Sequence, residues 1–153
     1  METRAITASN LPTLICLTSD QINISHSQQV LEFCKAGVAL IQFRSKTLSK
    51  EDFLQEAKIA VEISQDFDAK IFINDSVEVA RAVDANGVHL GVNDMPVAKA
   101  RKILGESKII GATIHSEHEI NESILAHSDY IGMGPFRKSN TKSDLTPVLN
   151  EFE

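Results

Sequence analysis

Short apolar, β-branched runs alternate along the chain with longer runs whose apolar positions recur every three or four residues. The first kind predicts strands and the second predicts helices with one buried face. Strands are predicted over residues 14–18, 38–43, 70–73, 87–90, 108–114 and 130–133. The run over 38–43 is almost continuously apolar, which suits a strand covered on both faces. Helices are predicted over 27–35, with Ala36 and Gly37 as a stop, and over 77–83. Another opens on Ser49 as N-cap with Asp52 three residues on, and carries Phe53, Ala57, Ala60, Val61 and Ser64 along one face. Pro96 begins a helix that runs to Leu104 and stops at Gly105. Ser116 and Glu119 predict a capping box for a last helix whose apolar face is Ile120, Ile124 and Leu125.

Strict β-α alternation with short connections means a parallel sheet with right-handed crossovers. An open doubly wound sheet and a (β/α) barrel both satisfy it, and in both the ligands gather at the C-terminal ends of the strands. With 153 residues the chain is short for a closed barrel, which usually needs about 200 or more.

Composition narrows the function. The net charge is −6, there is no Trp and a single Tyr, and no basic run appears; a nucleic-acid surface would need a basic stripe. No apolar run approaches the length of a membrane span, and residues 1–11 lack the apolar core of a secretory signal. Cys16 and Cys34 match no metal or redox spacing and read as buried free thiols in a reducing cytoplasm.

The polar residues fall just after the strands. Gln42, Arg44 and Lys46 alternate onto one side of the second strand end, with Phe43 on the other. A forked guanidinium beside a compact ammonium suits a diphosphate; a solvated loop is the alternative. Asn74-Asp75 follows the third strand and Gly91-Val92-Asn93-Asp94 the fourth. Two carboxylates at adjacent strand ends suit one hard cation such as Mg²⁺, and each equally suits the N-cap of the helix that follows. The fifth strand directs Thr113 and His115 to one side; His115 with His118 is a weak metal pattern, since no third ligand is evident. After Gly134-Pro135-Phe136 come Arg137, Lys138, Ser139, Asn140, Thr141 and Lys142, a composition fit for a loop closing over phosphate.

Taken in order, these segments resemble the thiamine-phosphate synthase family. Its pattern is Gln-x-Arg-x-Lys, Asn-Asp, Gly-Val-His-Leu-Gly-x-x-Asp, a Gly-x-Ser/Thr turn, and Gly-Pro-x-x-x-Thr-x-Thr-Lys. Here these are residues 42–46, 74–75, 87–94, 111–113 and 134–142, with Ser139 where the family usually has Thr. The resemblance implies a (β/α)₈ TIM-type barrel, here incomplete, with about six of eight βα units. It implies a Mg²⁺-dependent transferase that couples hydroxymethylpyrimidine diphosphate to hydroxyethylthiazole phosphate, giving thiamine phosphate and diphosphate. Asp75 and Asp94 would hold Mg²⁺. Arg44, Lys46, Asn74 and Lys142 would bind the diphosphate with Thr113 nearby, Gln42 would contact the pyrimidine, and Ser139 and Thr141 would help bind the thiazole phosphate. Arg44, Lys46 and Lys142 are the residues expected to promote its departure.

On that reading residues 1–153 form a single partial barrel, with 1–11 an N-terminal extension and 137–153 the active-site loop and a shortened tail. The family's last two βα units are then missing, so the isolated chain is expected to turn over slowly or not at all and to associate through its exposed barrel edges. Two rival expectations stand beside it. One is thiazole tautomerase, an isomerase of the same fold, acting through His115. The other is a non-catalytic remnant that binds phosphorylated ligands.

Overall fold

A computed structural model describes residues 10–134 of the chain. Ser139, Thr141, Lys142 and the expected apolar segment 145–149 lie outside the described residues, as do most of the 1–11 extension and the whole of 137–153. Six strands and five α-helices alternate: β1 (Cys16–Leu17), α1 (His26–Lys35), β2 (Leu40–Phe43), α2 (Lys50–Asp66), β3 (Lys70–Asn74), α3 (Val77–Ala82), β4 (Gly87–Leu90), α4 (Val97–Leu104), β5 (Ile109–Ile114), α5 (Glu122–His127) and β6 (Tyr130–Met133). All pairings are parallel, and the spatial order is the chain order, β1 through β6.

That order decides between the two architectures. A doubly wound sheet reverses direction at a switch point and puts helices on both faces. Here each strand adds beside its predecessor, and the crossovers share one hand, so the helices fall on one face and the sheet curls into a barrel wall. The side chains agree. Ile41, Phe43, Ile71, Ile73, Val88, Leu90, Ile110 and Ala112 pack outward against helix residues such as Val30, Ala57, Val77 and Ala100. Their neighbours Leu40, Phe72 and Ile109 turn inward to a second cluster with Leu11, Ile15 and Tyr130. Each fully buried Ile, Leu or Phe contributes about 1.5–3 kcal/mol. The ladder keeps one parity across strands, with Gln42 opposite Phe72, Asn74 opposite His89 and Thr113 opposite Gly132. Gln42, Asn74, His89 and Thr113 therefore share the inner face.

Local chemistry sets the helix starts. Ser49 accepts from the Asp52 amide as expected, and Ser25 does the same for Gln28. Gly105 ends α4 at φ 78, a left-handed value that glycine takes without strain. The expected capping box at Ser116 does not form: Ser116 opens only a 3₁₀ turn over Glu117–Glu119 and makes no side-chain cap. Glu119 accepts from the His115 amide instead, and α5 starts later, on Asn121. Its apolar face is correspondingly thin, with Leu125 63% exposed and only Ile124 packed on the core. Cys34 is buried, and burial pushes its thiol pKa up, whereas Cys16 is only partly buried. Among the described residues no helix is long and apolar enough to cross a membrane.

Candidate active site

The mouth of the barrel wall is built from the ends of β1 to β5. At β2 the segment from Arg44 to Thr47 leaves the sheet, and β1 holds it. Thr18, 1% exposed, donates its hydroxyl to the Arg44 carbonyl and accepts from the Arg44 amide, both at 2.8 Å. Asp20 takes the next residues: its carboxylate accepts from Ser45 Oγ at 2.5 Å, the Lys46 amide at 2.9 Å and Thr47 Oγ1 at 2.8 Å. His26 Nε2 lies 3.3 Å from the same carboxylate. Partial burial opposes the Asp20 charge, but the hydrogen bonds from Ser45, Lys46 and Thr47, with His26 adding, outweigh it and hold its carboxyl down to about 2. Neither Thr18 nor Asp20 was singled out from the sequence. The signal that finds them is the short strand β1 lying beside β2, a tertiary fact.

Gln42 is 6% exposed on the inner face. Arg44 is half-buried and forms no ion pair among the described residues. The Lys46 ammonium pairs with the Asp75 carboxylate. The Asp94 carboxylate accepts the Gly91 amide at 2.6 Å and lies within hydrogen-bonding reach of Asp75. Burial raises the Asp94 pKa and the Asp75 charge adds to that, against the Gly91 N–H and Lys46. Strand ends separated in the chain thus bring Lys46, Asp75 and Asp94 together, as the sequence led one to expect.

The capping alternative fails for both carboxylates. Ser76, not Asp75, caps α3, and Pro96 stands at the start of α4 without any side-chain cap. Asp75 sits at φ 66, a left-handed conformation that Asp tolerates better than most residues. Its amide donates to the His89 carbonyl at 2.9 Å.

Two adjacent carboxylates, one partly buried, repel each other unless a cation sits between them. Among the described residues no group of three or more His, Cys, Asp and Glu could hold a metal. That donor set fits a hard divalent ion which fills most of its shell from water and phosphate oxygens, as Mg²⁺ does. A cleft of about 380 Å³ opens beside Asp94 and Thr113, walled by Leu90, Met95 and Ile124.

Thr113 faces inward, its hydroxyl 2.7 Å from His89 Nε2. Residues 111–113 lie inside β5, within the strand predicted over 108–114. β5 ends at Ile114, and just beyond it His115 Nδ1 is 3.5 Å from Glu119.

The model of the family described as thiamine monophosphate synthase matches residues 13–152. The chain belongs to the thiamine monophosphate synthase family. It is 37% identical over 142 residues to the thiamine-phosphate synthase of Halalkalibacterium halodurans, covering 91% of this chain and 67% of that one. It is 44% identical over 124 residues to the thiamine-phosphate synthase of Prochlorococcus marinus, covering 80% and 36%. The thiamine phosphate pyrophosphorylase of Pyrococcus furiosus superposes with a TM-score of 0.73 at 31% identity, over 83% of this chain and 62% of that one. The chain thus spans between about a third and two thirds of the length of these family members.

Proposed function

We propose that this chain serves thiamine-phosphate synthesis, coupling hydroxymethylpyrimidine diphosphate to hydroxyethylthiazole phosphate with release of diphosphate. The convergence of Lys46 with the adjacent carboxylates of Asp75 and Asp94 carries the reading. Asp75 and Asp94 would hold Mg²⁺; when bound, it offsets charge on the diphosphate oxygens. Arg44 and Lys46, fixed by Thr18 and Asp20, receive the leaving diphosphate, with Asn74 and Thr113 on the inner face of β3 and β5. Gln42 addresses the pyrimidine from deeper in the mouth. Ser139 and Thr141 are assigned to the thiazole phosphate and Lys142 to the diphosphate on the family resemblance.

The chemistry needs little more. The amino-pyrimidine delocalises positive charge as the carbon–oxygen bond breaks, and negative charge grows on the departing diphosphate. Cations held in place before the reaction stabilise that charge most at the transition state. The attacking thiazole nitrogen has no proton to lose, so no general base is required and His115 needs no catalytic part. Loss of one diphosphate contact should cost on the order of 3 kcal/mol, about 10²-fold in rate. The free thiols suit a cytoplasmic enzyme.

Calorimetry of the chain with the pyrimidine diphosphate, with and without Mg²⁺, tests the site. The expected result is binding that Mg²⁺ strengthens by at least about tenfold and that Asp75→Asn abolishes. Equal affinity with and without the metal overturns it. Formation of thiamine phosphate on adding the thiazole phosphate supports the full activity; binding without product favours a non-catalytic, ligand-binding role.

A further inference from the structure

A line of polar side chains crosses the inner face of β4, β5 and β6 beneath the mouth. The Tyr130 hydroxyl lies 2.9 Å from His89 Nδ1, and His89 Nε2 lies 2.7 Å from the Thr113 hydroxyl. Tyr130 stacks on Phe72 with ring centroids 6.1 Å apart. The packing depends on Gly111: a Cβ there would stand 2.1 Å from Tyr130 Cζ. The glycine lets the ring lie across β5 and reach the imidazole on β4.

The direction of these hydrogen bonds follows from elementary accounting. Burial raises the Tyr130 pKa well above the ordinary phenol value, so the phenol keeps its proton. Among the described residues the acceptor within reach of that proton is His89 Nδ1. An Nδ1 that accepts leaves the neutral imidazole with its hydrogen on Nε2. That hydrogen points at Thr113 Oγ1, which must then accept. The threonine's own hydrogen is left to donate elsewhere, and the mouth with Lys46, Asp75 and Asp94 lies above it.

We propose that Tyr130 and His89 are positioning residues that fix the tautomer of the imidazole and thereby commit the Thr113 hydroxyl to donate to an anionic phosphate oxygen at the mouth. This deepens the reading of the site and rests on it: Thr113 becomes a donor of set polarity, and a ligand that offers only a donor at that point is rejected. A freely rotating threonine hydroxyl would discriminate less, since it gives or accepts with equal ease.

The test combines a spectrum and a thermodynamic cycle. ¹⁵N NMR of the histidine-labelled chain, assigned by loss of the signal in His89→Gln, should show the Nε2–H tautomer in the wild type, with the pyridine-like Nδ1 signal shifting in Tyr130→Phe. Calorimetry with Mg²⁺ and inorganic diphosphate should show Tyr130→Phe weakening binding by about 3- to 10-fold. Thr113→Val should weaken it at least as much, and adding Tyr130→Phe to Thr113→Val should change affinity by less than about twofold. An Nδ1–H tautomer in the wild type, or full additivity of the two substitutions, overturns the proposal. Absence of diphosphate binding by the wild type overturns the site reading and the ligand half of this inference with it, while the tautomer spectrum still reports on the internal half. If Tyr130→Phe fails to fold, the wild-type spectrum alone decides the tautomer.

Discussion

Thr18 engages Arg44 at both of its backbone polar groups, giving a hydrogen bond to the carbonyl and taking one from the amide, each 2.8 Å long. A side chain here does what a ladder partner does in a longer strand, because β1 spans only Cys16–Leu17. Thr18→Val keeps the shape and removes both bonds, leaving two half-buried backbone groups unpaired. It should cost about 2 kcal/mol of stability in urea unfolding and loosen Arg44, lowering affinity for Mg²⁺-diphosphate.

Asp20 makes the same segment sensitive to acid. Its carboxyl is depressed from 3.8 to about 2 in the folded chain. A carboxylate of this kind stabilises the fold above its unfolded value and loses that contribution as the pH falls through the native one. The stability gap between wild type and Asp20→Asn should therefore be full well above pH 3.8 and close as the pH falls to about 2. Urea midpoints of the two proteins across that range give the check; a constant gap contradicts it.

The pair Asp75 and Asp94 trades stability for binding. Asp94→Asn removes one of two adjacent charges and retains an oxygen for the Gly91 amide. Without metal the variant should melt about 3 °C higher. With Mg²⁺ and diphosphate the order should reverse, since only the wild type gains stability from the ligand. Thermal melts under both conditions measure it.

Gly111→Ala should be destabilising by about 1–3 kcal/mol through overpacking, because its Cβ would meet the Tyr130 ring. If the ring is the cause, the same substitution made in a Tyr130→Leu background should cost far less. Equal costs in both backgrounds would place the strain elsewhere.

At the opposite end of the barrel wall, Arg101 is 8% exposed on a helix whose pattern gives no hint of it. Its guanidinium donates to the Gly105, Lys108 and His127 carbonyls and to Asp129 at 2.6 Å. Asp129 also accepts the Ile110 amide at 2.7 Å. Arg101→Met strands that carboxylate and should cost about 3–5 kcal/mol, with no loss of ligand affinity in the folded fraction.

Local physics explains what was legible before any coordinates. Periodicity marks the strands and helices because burial of one face is written into neighbouring residues, and Ser49 and Gly105 mark ends because caps act over a single turn. Alternation alone put Gln42 opposite Phe43 in facing. Where the signal was local but shared, the sequence misled: Ser116 and Glu119 have the spacing of a capping box, yet Glu119 is drawn to the His115 amide. Asp75 and Asp94 stand two and three residues before a helix, so only the folded chain could show that neither is its N-cap. The rest is contact across strands. Which Asp leans on which, that Thr18 and Asp20 hold the Arg44–Lys46 segment, and that Tyr130 reaches His89 over a glycine all depend on register and curvature. No run of adjacent residues encodes those, since each is set by what the whole sheet must bury.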